Sequence, residues 1–244
     1  MTVALDRGWQ VLPHRWGTQD AEAFAKSQDA TLAVGRLHAE AGQVSLSPQT
    51  VRAAGPEIER LVLPSLNGAT IAAVLGEGLP ADRPDGDVFK TRFGDAPFGV
   101  SPIGAAGGEG GYPSVMAASL RNAEAIATWL TTRYKPDGAR LLVVAAGEQW
   151  PGGQLRPAVE DLWGAGAVIS GLRQRGWLRL SVEATVAAEA YEAVSGDMRG
   201  LLRESTSGQV LAAMGFTDDI DIAAEVDQST VVPELVLGVF YDAQ

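Results

Sequence analysis

One pattern recurs along most of this sequence: a short apolar run, a small polar loop and then an amphipathic stretch with helical spacing. The clearest apolar runs cover residues 60–64, 113–118 and 140–146, and helical spacing follows at residues 123–133 and 157–173. This alternation is typical of βαβ units, in which helices connect parallel strands and cover the sheet. The sequence therefore predicts an α/β fold with three layers, α/β/α, around a mixed, mostly parallel sheet.

Several weaker segments complete the predicted chain. We expect a helix over residues 69–75 and strands over residues 220–224 and 231–240. Residues 76–111 are rich in Gly, Pro and Asp, and so long a connection without elements of its own is uncommon inside a compact domain. We interpret it as a loop-rich insertion, which either covers a site or forms a plain surface loop. The whole chain, residues 1–244, is predicted to form a single α/β domain.

Composition restricts the function. The 244 residues carry a net charge of −11 and no cysteine, which argues against nucleic-acid binding and excludes disulfides and thiolate catalysis. No apolar run is long enough to span a membrane, and no signal-peptide pattern is visible, so we expect a cytoplasmic protein without membrane contact. In an acidic protein, an anionic substrate needs local positive charge from arginines, helix N-termini or a bound cation.

Polar residues follow three of the predicted strands directly. They are Ser65, Asn67 and Gly68 after the run at 60–64, Ser119, Arg121 and Asn122 after the run at 113–118, and Gly147 and Glu148 after the run at 140–146. Each junction alone resembles an ordinary helix cap. Because the carboxyl ends of parallel strands meet at one edge of a sheet, where helix N-termini attract anions, the three together predict an anion site.

Two adjacent carboxylates, Glu160 and Asp161, lie in the first turn of the helix predicted to begin near Pro157. Carboxylates at this place stabilise a helix through its dipole, which is a purely structural explanation. The alternative is that one of them binds Mg²⁺, directly or through water, because this ion uses few carboxylates and bridges to phosphate oxygens. The sequence leaves both explanations open.

Four blocks in order resemble one family. They are residues 63–69, residues 118–123, residues 146–148 continued by Arg156, Glu160, Asp161 and residues 164–167, and a C-terminal run from 205 to 233. Together they resemble the 2-phosphosulfolactate phosphatase family. The resemblance implies a Mg²⁺-dependent phosphatase that hydrolyses a phosphate ester on a sulfonated lactate, in the route to coenzyme M.

The resemblance and the strand-end residues together give a set of candidate roles. Glu148, Glu160 and Asp161 are the candidate catalytic residues, Asp161 and Glu160 the candidate Mg²⁺ ligands, and Arg36, Ser65, Asn67, Gly68, Ser119, Arg121, Asn122, Arg156 and Ser205 the candidate substrate-binding residues. The expected partner is a small anionic substrate, and a homodimer is possible. Two alternatives stay open: a non-catalytic anion-binding or regulatory protein on the same scaffold, and a Mg²⁺-dependent hydrolase of another phospho-acid.

The chain departs from the family pattern at its start. Members usually open with a strand reading V-D-V-L-R-A, whereas residues 1–5 resemble the helix that follows that strand. We therefore expect an N-terminally truncated chain that lacks an Asp expected to bind Mg²⁺, which leaves its activity open. Arg36 follows Gly35 where the family usually has G-E-R.

Overall fold

The computed structural model describes residues 1–14, 21–64, 70–75, 114–150, 154–156 and 158–244, and for residues 70–75, 149 and 155 it describes the backbone. The helices are α1 (Thr2–Leu5), α2 (Ala21–Ser27), α3 (Pro48–Ala53), α4 (Ala123–Arg133), α5 (Val159–Gln174), α6 (Val182–Val194), α7 (Met198–Glu204), α8 (Thr206–Ala213) and α9 (Thr217–Ala223). The strands are β1 (Gln10–Pro13), β2 (Thr31–Leu32), β3 (Arg60–Leu63), β4 (Thr70–Leu75), β5 (Ser114–Ala118), β6 (Arg140–Val144), β7 (Glu148–Gln149), β8 (Leu155–Arg156), β9 (Pro233–Val236) and β10 (Val239–Asp242). The predicted insertion at 76–111 lies outside the described residues.

The main sheet is mixed, as predicted, but it is not mostly parallel. In the described part of the chain, the strand order is β2-β3-β1-β10-β9-β5-β4-β6. Five of the seven neighbouring pairs are antiparallel, and only the β1–β3 and β2–β3 pairs are parallel. One cause is local: β9 and β10 form a hairpin whose turn residues Leu237 and Gly238 both adopt positive φ, at 51° and 84°. A two-residue turn of this kind matches the twist of an antiparallel pair.

This topology also corrects the expected grouping of strand ends. Following the pairings across the sheet, β5 and β6 run opposite to β3. β5 and β6 run in the same direction on either side of β4, with Ala117 and Val144 both paired to Ile71. The predicted shared edge therefore holds for the carboxyl ends of β5 and β6 and is wrong for that of β3.

Two element predictions are wrong, and the single strand predicted over residues 231–240 is instead the β9–β10 hairpin. Residues 70–75 form strand β4 instead of a helix, because this stretch pairs with β5 on one side and β6 on the other. Residues 220–224 do not form a strand, since Thr217–Ala223 is helix α9 with Asp218 and Asp219 in its first turn. The predictions at β3, β5, α4 and α5 are confirmed to within a few residues.

Helical residues pack on both faces of the β1–β3 pair. Val11 and Leu61 belong to a buried cluster with residues of α1 and α3. Leu12 and Val62, one position further along each strand, belong to a second buried cluster with Ala25 of α2. This arrangement follows from the two-residue period of a strand, which points successive side chains to opposite faces. Three layers across the whole sheet stay a prediction.

Helix α5 approaches α6 at backbone distance. A Cβ atom added at Gly166 would lie 2.1 Å from the carbonyl oxygen of Ala187, so only glycine fits there. Gly166 belongs to the small residues at 164–167, which are part of the blocks that resemble the family. None of the described helices combines the length and the hydropathy that crossing a membrane requires.

Candidate functional site

The loop after β6 and the first turn of α5 are joined by one hydrogen bond. Gly147 adopts φ 72°, a left-handed conformation that glycine tolerates without strain. Its N–H donates to Oδ2 of Asp161 at 2.7 Å. This bond brings together residues from two separate predictions. Gly147 lies at a predicted strand end, and Asp161 lies in the first turn of a predicted helix.

Asp161 is a buried carboxylate with an unusual protonation equilibrium. Its side chain is only 2% exposed. The pKa of Asp161 is raised to about 6, mainly by burial. The charges of Glu160 and Glu148 also raise this pKa, and the hydrogen bond from the Gly147 N–H lowers it. The carboxylates of these three residues therefore influence one another, as groups in a shared site do.

Glu148 lies in a small hairpin that also carries Arg156. The two strands β7 and β8 are antiparallel, and Glu148 is paired with Arg156 across them. Burial raises the pKa of Glu148 above its ordinary value; Arg156 and Arg36 oppose this effect and Glu160 adds to it. Glu148 is thus held between two cations and another carboxylate.

Arg156 connects this hairpin to helix α8. Its Nη2 donates to the hydroxyl of Ser207 at 3.0 Å, and its guanidinium lies 5.7 Å from the ring centroid of Trp150. Trp150 is 52% exposed, so an aromatic face is available to a ligand beside the arginine. Ser207 is not among the predicted site residues, although it lies in the C-terminal run from residue 205 that resembles the family.

Arg36 reaches the same region from the other half of the chain. Its Nε donates to Oδ2 of Asp219 at 2.8 Å, and its charge acts on Glu148. Asp219 is also absent from the predicted site residues. It lies immediately before the strand predicted over residues 220–224, a position that indicates no site.

Ser205 has a capping role in the structure. Its hydroxyl accepts a hydrogen bond from the N–H of Gly208 at 3.0 Å and donates to the carbonyl of Leu202 at 2.8 Å. It is therefore the N-cap of α8. Through that cap it fixes the start of the helix that carries Ser207.

The residues after β5 form hydrogen bonds within the protein. Asn122 is 0% exposed; its Oδ1 accepts from the N–H of Ser119 at 2.8 Å, and its Nδ2 donates to the carbonyl of Val231 at 3.0 Å. Asn122 thus ties the loop after β5 to the segment before β9. Ser119 and Asn122 lie at the edge of the sheet where β5 and β6 both end, the edge that Gly147 also follows. Ser65, Asn67 and Gly68 lie outside the described residues.

Arg121 is also engaged within the protein. Its Nη1 donates to the Thr2 hydroxyl at 2.9 Å and to Asp6 at 3.1 Å, and its Nε donates to Glu225 at 3.2 Å. The side chain is 7% exposed. These contacts give Arg121 a structural role between α1 and the segment after α9.

Oxygen donors at the site fit Mg²⁺ in kind. Asp161, Glu160 and Glu148 offer hard carboxylate oxygens, and Mg²⁺ commonly uses only one or two carboxylates together with water and substrate phosphate. Among the described residues, no group of three or more His, Cys, Asp or Glu side chains is placed to hold a metal ion. The described part of the site therefore provides a partial set of ligands.

Comparisons with known proteins agree on one family. The sequence model of 2-phosphosulpholactate phosphatase matches residues 108–238, more than half of the 244 residues. One relative, from Synechococcus sp. (strain JA-3-3Ab), is named "Probable 2-phosphosulfolactate phosphatase". It is 36% identical to this chain over 51% of this chain and 49% of the relative. The same name applies in Thermotoga maritima, with 30% identity over 52% of this chain and 50% of the relative, and in Deinococcus radiodurans, with 29% identity over 51% and 48%.

The match spans about half the length of these curated relatives. It includes Gly147, Glu148, Arg156 and Asp161, whereas Arg36 precedes it. The carboxylate cluster and the arginine beside it are thus contained in the part of the chain that the family model covers, and the chain belongs to the 2-phosphosulfolactate phosphatase family.

Proposed function

We propose that this protein hydrolyses the phosphate monoester of a small sulfonated or carboxylated acid. The observation that carries the proposal is the meeting of Glu148, Asp161 and Arg156 around the Gly147 loop. The substrate named for the relatives, 2-phosphosulfolactate, belongs to this chemical class. Hydrolysis of such an ester breaks a P–O bond and releases inorganic phosphate and the hydroxy acid.

Binding of the substrate falls to the arginines. Arg156 and Arg36 both act on the Glu148 carboxyl, so both guanidinium groups lie within electrostatic reach of it. A guanidinium presents several N–H donors in a plane and can bind phosphate or sulfonate oxygens through two bonds at once. In a chain with net charge −11, these cations supply the local attraction that an anionic substrate requires.

Mg²⁺ is part of the proposal. Asp161, with Glu160 or Glu148, would hold the ion. When bound, Mg²⁺ neutralises negative charge on the phosphoryl oxygens and so lowers the barrier to attack. The Gly147 N–H holds Asp161 in place, and the Trp150 ring lies beside the Arg156 guanidinium.

Glu148 is the candidate general base. Its carboxylate can accept a proton from the attacking nucleophile, and its raised pKa brings it closer to neutral pH, where a base is most effective. A suitably placed base typically contributes about 10²- to 10⁴-fold to a rate. Replacing Glu148 with Gln keeps the shape of the side chain and removes the basic oxygen.

The test is phosphate release from 2-phospho-3-sulfolactate and from a panel of other phospho-acids, with Mg²⁺ and after chelation. We expect Mg²⁺-dependent turnover, which Glu148→Gln and Asp161→Asn each reduce by about 100-fold or more. Glu189→Gln is the matched control, because Glu189 is an exposed carboxylate that pairs with Arg173. Absence of turnover for every ester, by protein that binds phosphate, would exclude the enzymatic proposal.

A non-catalytic anion-binding role is the second candidate. It is favoured by one observation, that the described residues do not assemble three metal ligands. Isothermal titration calorimetry with 2-phospho-3-sulfolactate separates the two: binding that does not depend on Mg²⁺, without phosphate release, supports the binding protein. Turnover of a different phospho-acid in the panel supports a related hydrolase instead.

Three further properties belong to the same proposal. We propose a cytoplasmic location, which a chain without cysteine fits. A place in coenzyme M biosynthesis follows only if the sulfonated ester is the substrate. Homodimer formation is a proposal that size-exclusion chromatography with light scattering tests directly.

A further inference from the structure

Asp219 is a buried carboxylate that the proposed chemistry does not use. It lies in the first turn of α9 and is 3% exposed. Its Oδ2 accepts from Nε of Arg36 at 2.8 Å, across a separation of 183 residues in sequence. Such a carboxylate needs compensation in the folded protein, and Arg36 provides it.

The second oxygen of Asp219 is also bound. The hydroxyl of Ser47, which is buried, donates to Oδ1 of Asp219 at 2.5 Å. Ser47 is held in turn, since its N–H donates to the hydroxyl of the buried residue Ser45 at 3.1 Å. Both oxygens of Asp219 are therefore fixed by donors from a different part of the chain, and the carboxylate cannot rotate freely.

This arrangement restricts Arg36 through its Nε group. Only Nε is bound to Asp219, and the Nη groups make no hydrogen bond to other described residues. The side chain is about one-third exposed, at 32%, so a ligand can reach it. Arg36 also lies close enough to the Glu148 carboxyl to act on it. An arginine held at Nε, whose Nη groups bind no other described residue, is suited to donate to two oxygens of an anion.

We propose that Asp219 and Ser47 are positioning residues, which hold Arg36 in the orientation that binds an anionic oxygen group of the substrate. The inference rests on the proposed function and assigns part of its substrate binding to residues outside the carboxylate cluster. The ligand class is a phosphate or sulfonate group. The function of Asp219 is carried entirely through Arg36.

A double-mutant cycle tests this dependence. Arg36→Ala, Asp219→Asn and the double variant are compared for KM and kcat with 2-phospho-3-sulfolactate and for Kd with inorganic phosphate. We expect each single variant to raise KM and Kd by about 10-fold or more, as loss of a charged hydrogen bond does, with a smaller effect on kcat. In the Arg36→Ala background, Asp219→Asn should change Kd by less than about 2-fold, because the residue through which it acts is gone.

The neighbouring residue gives a matched control. Asp218, in the same turn, accepts a hydrogen bond from the side chain of Gln49 and does not touch Arg36. Asp218→Asn should leave KM and Kd unchanged, while restoring the carboxylate by Asp219→Glu should recover part of the binding. If Asp219→Asn does not fold, as judged by circular dichroism, Ser47→Ala replaces it in the same cycle.

The outcomes separate the two proposals. Independent, multiplicative effects of Arg36→Ala and Asp219→Asn on Kd would overturn the positioning role even in an active phosphatase. Phosphate binding that shows the expected coupling, without turnover of any ester, would remove the enzymatic proposal and leave the positioning role intact. Failure of the wild-type protein to bind phosphate or substrate would overturn both.

Discussion

Gly147 and Asp161 are joined by a hydrogen bond of 2.7 Å from a main-chain N–H to a buried carboxylate. The bond satisfies one oxygen of Asp161, yet burial still raises the pKa of this group to about 6. The ionised form of Asp161 therefore lowers the stability of the folded protein. It stands at a position where the proposed chemistry needs a negative oxygen. Functional sites commonly retain such costs.

The first prediction concerns pH and stability. Between the ordinary value of 3.8 and about 6, the native state binds more protons at Asp161 than the unfolded state, so the contribution of this group to stability falls as pH rises. In metal-free buffer, Asp161→Asn should be more stable than the wild type by roughly 2–3 kcal/mol at pH 8 and equal to it near pH 4. Urea unfolding at both pH values measures the difference. Equal stability at pH 8 would contradict the assignment.

The second prediction concerns Mg²⁺. An ion bound near Asp161 compensates the buried charge, so Mg²⁺ should raise the Tm of the wild type and have little effect on Asp161→Asn. At a free concentration of about 100 times Kd, ligation adds about 2.7 kcal/mol. Differential scanning fluorimetry in Mg²⁺ and in chelator makes the comparison. An equal shift in both proteins would show that the ion binds elsewhere.

The third prediction separates structure from binding at Arg121. Its contacts with Asp6 and Glu225 are largely shielded from solvent, so Arg121→Met should lower the free energy of unfolding by about 3 kcal/mol. The control is Arg203→Met, which removes an exposed ion pair with Asp221 and should cost less than about 1 kcal/mol. KM should be unchanged in folded Arg121→Met protein, and a large rise in KM would restore Arg121 to the substrate site.

The fourth prediction concerns Asn122. Truncation to Ala removes its bonds to Ser119 and Val231 and leaves buried backbone groups without partners. We expect a loss of about 2–4 kcal/mol in unfolding free energy. Ser119→Ala removes the hydroxyl that donates to Asn122 but keeps the main-chain bond, so its loss should be near 1 kcal/mol. Chemical denaturation of both variants gives the comparison.

The family blocks were visible in the sequence because they carry polar residues at fixed spacings. Glu148, Arg156 and Asp161 all lie in these blocks, and the structure places them around one loop. The direction of the strands was not visible. Residues 70–75 form an apolar run of only six residues, and periodicity does not separate a short buried strand from a helix.

Asp219 shows a second limit of sequence reasoning. The alternation of Asp and Ile at residues 219–222 suggests a strand, yet Asp219, Ile220 and Ile222 are all buried in helix α9. The hydrogen bonds to the Asp219 carboxylate come from Arg36 and Ser47, more than 170 residues away. Tertiary contacts override a local pattern when the pattern is short.

The backbone contact between Gly166 and Ala187 has a consequence for how this protein can change. Because α5 rests directly on the main chain of α6, any side chain at position 166 must displace the whole helix, and the acidic pair at its amino end moves with it. The separation of α5 and α6 thus affects the position of Glu160 and Asp161, which lie in the first turn of α5. Residues around this cluster can be substituted individually. The separation of α5 and α6 at Gly166, however, cannot change without moving the acidic pair.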